Sequence, residues 1–240
     1  MDLAVTDPPY NVAIENSQGM TIENDDMDST NFQEFLTAAF ENLSDHLKAG
    51  GAFYIWYANR THMDFEQSLN NAGLEVREQL IWNKNSLVLG RQDYQWKHEP
   101  CLYGWKDGAS HYFINNRTLT TVIDDDELDL DAMKKDELKA LVQRILETYP
   151  DVTVINEKKP AKNDLHPTMK PIKLIARLVK NSSRTRENVL DLFGGSGSTL
   201  IACEQLNRKC FMMEYDPRYA DVIIDRWEQQ TGEKAVLANG

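Results

Sequence analysis

The sequence predicts an α/β fold, a mainly parallel sheet with helices on its faces, and three observations carry that prediction. Short apolar runs alternate with amphipathic helical stretches up to about residue 111. The same alternation returns from about residue 164 to the end, and one of the later runs breaks into a glycine-rich turn that opens a helix. With 240 residues, 41% of them hydrophobic and 27% charged, the chain is long and apolar enough to bury a core, as one α/β domain or one carrying an insert.

The elements follow in order. Leu3-Ala4-Val5-Thr6 is a buried strand that stops at Asp7-Pro8-Pro9, because two prolines continue neither strand nor helix, so its carboxyl end delivers Asp7. Phe32, Phe35, Leu36, Ala39, Phe40, Leu43 and Leu47 recur at helical spacing and end at Gly50-Gly51. Residues 52–57 then read as a strand, 61–72 as a helix ending at Gly73, and 76–82 as another strand. From about Tyr112 the rhythm fails: 120–123 and 152–155 read as short strands flanking a charged helix over 131–148, whose apolar positions are Leu138, Leu141, Val142 and Ile145. After His166-Pro167-Thr168 it resumes with helix 171–181, strand 189–192, helix 198–206, strand 210–213 and helix 218–230.

Composition excludes several classes. No basic segment leads into an apolar run at the N-terminus, and no stretch approaches the ~20 apolar residues of a membrane span, which points to the cytoplasm. Cys101, Cys203 and Cys210 form no CxxC pair, and the histidines show no ligand spacing with them, so neither a metal site nor a disulfide framework is expected. A net charge of −12 weighs against nucleic-acid binding, since duplex affinity is largely a phosphate contribution from Lys and Arg. Distribution matters more than the sum. Much of the acid lies in residues 124–131, whereas Lys158, Lys159, Lys162, Lys170, Lys173, Arg177, Lys180, Arg184 and Arg186 form a basic stretch able to face DNA.

Two motifs carry chemistry. In Asp191-Leu192-Phe193-Gly194-Gly195-Ser196-Gly197-Ser198-Thr199 a strand turns through glycines into a helix, which lets a ligand approach the backbone closely and meet the amides of a helix N-terminus. No Lys-Ser/Thr follows as a P-loop requires, and Leu200 stands where a dinucleotide fold has its third glycine. Glu214 follows the next strand, where an acid can take both hydroxyls of a ribose; the alternative is a turn built for packing and a surface glutamate. In Asp7-Pro8-Pro9-Tyr10, a carboxylate and the Pro8 carbonyl are held rigidly enough to accept both hydrogens of an aromatic amine. That pulls the nitrogen toward tetrahedral geometry and frees its lone pair. Tyr10 is placed to stack on a base that has left the helix, although Asp-Pro-Pro is also a common turn.

Together with Ile81-Trp82-Asn83-Lys84, Lys97-His98-Glu99-Pro100 and His166-Pro167-Thr168-Met169-Lys170-Pro171, these motifs resemble, over nearly the whole chain, the DNA amino-methyltransferases of the permuted β class. The resemblance implies a Rossmann-like, circularly permuted, S-adenosylmethionine-dependent methyltransferase sheet. It divides the chain into a catalytic half (1–111), an inserted target-recognition region (112–163) and a cofactor-binding half (164–240). It implies that Asp7, Pro8, Pro9 and Tyr10 hold the amine and base. Asp191, Phe193, Gly195, Gly197 and Glu214 would bind S-adenosylmethionine, with Thr168 and Lys170 at its methionine end. Trp82 reads as core or base contact, and His98 as a structural histidine or a site residue.

The implied activity is site-specific methylation of N6 of a flipped adenine in double-stranded DNA, because cytosine-N4 enzymes more often carry serine where Asp7 stands; N4-cytosine methylation is the alternative. Six residues precede Asp7, where the family places a strand and acidic turn that contact the cofactor adenine. The arrangement resembles phage and prophage proteins in which the methylase follows a ParB-like domain, so the expectation is a trimmed or split product of such a parent, with weakened cofactor binding. A cofactor-poor DNA- or partner-binding remnant is the alternative in another class. Homodimers are common in the family.

Overall fold

The computed structural model describes residues 1–13, 25–89, 93–124 and 169–238. Its frame is a seven-stranded sheet. Strand β1 (Leu3–Thr6) lies in its interior, fully buried, and pairs in parallel with β2 (Ala52–Trp56) on one side and β6 (Asn188–Asp191) on the other. Beyond β6 lies β7 (Lys209–Met212), again parallel. Beyond β2 the long hairpin of β3 (Val76–Val88) and β4 (Trp96–Trp105) enters with β4 inside, and β5 (Val122–Asp124) ends the order β5-β3-β4-β2-β1-β6-β7. Only β4 runs against its neighbours, so the predicted mainly parallel sheet is the observed one.

Helix α1 (Ser29–His46) starts where Asp28 accepts hydrogen bonds from the Thr30 and Asn31 amides, and buries Phe32, Leu36, Phe40 and Leu43 at turn-by-turn spacing. It packs beside α2 (His62–Asn71), whose Phe65 meets the Phe32 and Phe40 rings at a tilt, with centroids 6.0 and 6.1 Å apart. Helices α3 (Ile172–Ser182), α4 (Ser198–Gln205) and α5 (Pro217–Thr231) complete the second half; Asp216 caps α5 and Gly232 ends it in the left-handed conformation.

The structure adds β4 and lengthens β3, neither of which the sequence announces. Pro100 and Gly104 argue against an interior strand. The Pro100 carbonyl accepts from the Tyr57 amide just past the end of β2, so its nitrogen faces the place where the β2 ladder has stopped and no N–H is needed. At Gly104 a Cβ would lie 2.5 Å from Phe53 Cζ and 2.4 Å from the Glu75 carbonyl, so close packing requires glycine. The predicted strand at 120–123 is β5, while the helix over 131–148, the strand at 152–155 and Thr168 lie outside the described residues.

Candidate active site

The two motifs meet because β1 and β6 are adjacent and parallel, so both deliver their next residues to the same edge of the sheet. The chain leaves β1 toward β2 and β6 toward β7, in opposite directions, which opens a crevice at the carboxyl ends of the two strands. Thr6 stitches the pair: its hydroxyl donates to Asp191 Oδ1 at 2.9 Å and accepts from the Leu192 amide at 3.3 Å.

Asp191 is 3% exposed, and burial pushes its carboxyl up to about 7 despite hydrogen bonds from Thr199, the Phe193 amide and Thr6. A carboxyl raised in the folded state holds its proton there. Its contribution is complete below the unfolded value near 4 and is lost as pH rises through about 7. The Asp191→Asn variant is therefore expected to have a flatter melting temperature between pH 4 and 7, each kcal/mol of difference moving the midpoint by about 2–4 °C. Calorimetric scans of both proteins across that range check this, and parallel curves would show that Asp191 ionises as readily folded as unfolded.

A cavity of about 740 Å³ occupies the crevice, lined by Asp7 through Tyr10, by Asp191 through Ser196, by Lys170 and by Glu214. Its size is that of a small-molecule site. Gly195 and Gly197 have φ of 52° and 81°, a region side chains avoid, and a Cβ on Gly194 would lie 2.7 Å from Met212 Sδ. Phe193 rests against Phe35 of α1 at 5.8 Å, forming an apolar wall. Glu214 Oε2 accepts from the Gly195 amide at 2.6 Å and Oε1 from the Asp216 amide at 2.9 Å, so the carboxylate is fixed at the mouth of the turn. An acid fixed beside a glycine turn and an aromatic wall suits a ribose with an apolar tail, so Phe193, Gly195, Glu214 and Asp191 could hold an adenosyl cofactor.

At the other end, Asp7 Oδ1 accepts from the Tyr10 hydroxyl and Oδ2 from Lys170 Nζ at 2.7 Å. Lys170 Nζ also lies 2.9 Å from Tyr10 Oη and 3.0 Å from Glu99 Oε2, and it sits 5.3 Å from the ring centres of Tyr10 and Trp56. Glu99 in turn pairs with Lys84. Burial works against the charge on Lys170, but Asp7 and Glu99 outweigh it and hold the ammonium above its ordinary value. Burial likewise raises the Glu99 carboxyl, and Lys170 and Lys84 more than reverse this. Burial, then Asp7 and Glu99, push the Tyr10 phenol well up, so it stays a donor.

Of the residues singled out from sequence, Asp7, Pro8, Pro9, Tyr10, Lys170, Asp191, Phe193, Gly195 and Glu214 line this one cavity. Lys170 does not face outward with the basic stretch; it is 5% exposed, and its backbone carbonyl accepts from Ser198 Oγ at 2.9 Å. Trp82 is buried edge to face on Trp56, and His98 packs against Trp96. Glu99 and Lys84 carried no assigned role, although both stand in the quoted motifs; their adjacency appears only once β3 and β4 pair, with Trp82 opposite Glu99.

Among the described residues no helix is long and apolar enough to cross a membrane. The chain is 23% identical over 240 residues to the type II methyltransferase M.ScaI of Streptomyces caespitosus, covering 95% of this chain and 75% of that one. The fold is that of the M1.HpyAVI–SAM complex, at a TM-score of 0.62 and 19% identity over 94% of this chain and 88% of that one. It is also that of the cytosine-N4-specific PvuII DNA methyltransferase, at 0.66 and 16% over 97% and 83%. Residues 1–225 match the N6/N4 DNA methylase family, and the chain belongs to that family of S-adenosylmethionine-dependent DNA methyltransferases.

Proposed function

We propose that this enzyme methylates N6 of an adenine extruded from duplex DNA. The observation that carries the reading is the single cavity in which Asp7-Pro8-Pro9-Tyr10 faces the turn at 193–197 and Glu214. Bound S-adenosylmethionine would supply a methyl group on a cationic sulfur, and Glu214 would hold its ribose, the glycine turn and Phe193 its length, and Thr168 with the Lys170 backbone its methionine end. The Asp7 carboxylate and the Pro8 carbonyl accept hydrogen bonds from the two amine N–H groups, which concentrates the lone pair on nitrogen and stabilises the positive charge the nitrogen acquires before it sheds one proton to Asp7. Asp7 then passes the shed proton to water. Aspartate at the first position, where cytosine-N4 enzymes more often have serine, favours adenine. The segment 112–163 reads the target sequence.

Methylation-sensitive long-read sequencing of DNA from an expressing host tests this: N6-methyladenine at one recurring motif is the expected outcome, and N4-methylcytosine there overturns the choice of base. Tyr10 tests the pocket separately. Tyr10→Ala is expected to weaken capture of the base by about 1–3 kcal/mol, the worth of one base–aromatic stack. Tyr10→Phe keeps the ring while freeing Asp7 Oδ1 of its hydroxyl donor, so it should retain base capture. Both are read as DNA affinity in the presence of a non-reactive cofactor analogue. Wild-type affinity in Tyr10→Ala would remove Tyr10 from the base site.

A further inference from the structure

Lys170 places a positive charge against the carboxylate that, on the reading above, must stabilise a positive charge. As the new N–C bond forms from the amine lone pair, the S–C bonding pair stays on sulfur. The amine nitrogen becomes cationic until it sheds one proton. Asp7 and Lys170 alone form a neutral pair at 2.7 Å, and a neutral pair offers such a nitrogen little attraction. The ammonium has a second acidic neighbour, Glu99 on β4, with Oε2 3.0 Å away.

We propose that Glu99 is a positioning residue for methyl transfer: by sharing Lys170 it keeps the Asp7–Lys170–Glu99 cluster net negative and leaves Asp7 its charge for the target amine. Lys84 offsets the effect only in part, because it pairs with the other oxygen of Glu99 and so stands one group farther from Asp7 along the chain Asp7–Lys170–Glu99–Lys84. It serves as the anchor that holds Glu99 in place, with its ammonium 5.2 Å from the centre of the Trp82 ring. The buried and doubly paired Lys170 then acts as a rigid spacer between two carboxylates.

Glu99→Gln removes the charge and keeps the shape. Single-turnover methyl transfer is expected to slow about 10- to 100-fold, while KM for DNA and for cofactor moves by less than about threefold. In a Lys170→Gln background the same change is expected to cost less than about twofold, since Glu99 acts through Lys170. Glu99→Asp, which restores the charge, should recover part of the rate. In cofactor-free protein carrying 13C-labelled lysine, the Lys170 ε-carbon should titrate at lower pH in Glu99→Gln than in wild type.

A wild-type rate in Glu99→Gln, an equal loss in the Lys170→Gln background, Glu99→Asp no faster than Glu99→Gln, or an unmoved Lys170 titration would each overturn the proposal. Asp7→Asn, made alongside, tells two failures apart. Full activity there removes the amine pocket and this inference with it, whereas loss there beside an unaffected Glu99→Gln removes the inference alone.

Discussion

Replacing Asp7 by alanine is expected to lower methyl transfer by at least about 100- to 1,000-fold, the usual cost of deleting one preorganised group from a transition-state site. Cofactor affinity, measured by calorimetry, should stay within about threefold of wild type. A carboxylate has roughly four lone-pair positions; Tyr10 and Lys170 occupy one on each oxygen, which leaves acceptor capacity at the cavity that Asp7 lines. Without Asp7 the Lys170 ammonium keeps Glu99 and Tyr10, so the fold holds. Removing Asp7 also removes the negative charge that sets off Lys170 from the amine nitrogen as it turns cationic, which makes the alanine variant worse than the loss of one hydrogen bond. Asp7→Asn isolates the charge from the shape and should fall nearly as far. Activity near wild type in both would take the amine away from Asp7.

Glu214→Ala should show the opposite division, a weaker cofactor complex with the rate at saturation largely kept. Charge-assisted hydrogen bonds to a ribose are worth about 1.5–3 kcal/mol each before water compensates, which corresponds to a roughly 10- to 150-fold rise in Kd for one such bond lost. The protein holds Glu214 ready: the Gly195 and Asp216 amides fix one oxygen each, so little ordering remains to be done when the ligand arrives. Calorimetric titration with S-adenosylmethionine is the measurement. Unchanged affinity would reduce Glu214 to a cap on the turn.

Much of this was legible in the residues. Strands β1, β2, β6 and β7 announce themselves because each is an apolar run closed by proline, glycine or a charged turn, and α1 because its phenylalanines and leucines recur on one face. Strand β4 was not legible. It carries site residues and a proline, and its pattern answers to neighbours rather than to alternation. At the site, motif order brought Asp7 and the glycine turn together on paper, and the parallel pairing of β1 with β6 does so in space. Lys170 shows the limit. Its place between motifs suggested the methionine end of the cofactor, and its backbone does touch the start of α4, but its side chain runs to Asp7 and Glu99. Spacing along a chain says which segment arrives and not which way a long side chain turns once buried.

The pairing of Thr6 with Asp191 spans 185 residues of sequence, and that separation sets a clock. At about 5–20 residues per second, β6 leaves the ribosome roughly 10–40 s after β1. Throughout that interval the strand destined for the middle of the sheet has one finished neighbour at most, and the crevice has one wall. Nascent chains thus carry the amine-holding motif without the cofactor cradle, and catalytic competence arrives in a single late step, when the last strands dock. A protein whose site is closed by contacts of such long range folds slowly for its size, and its activity reports on the docking of its late strands.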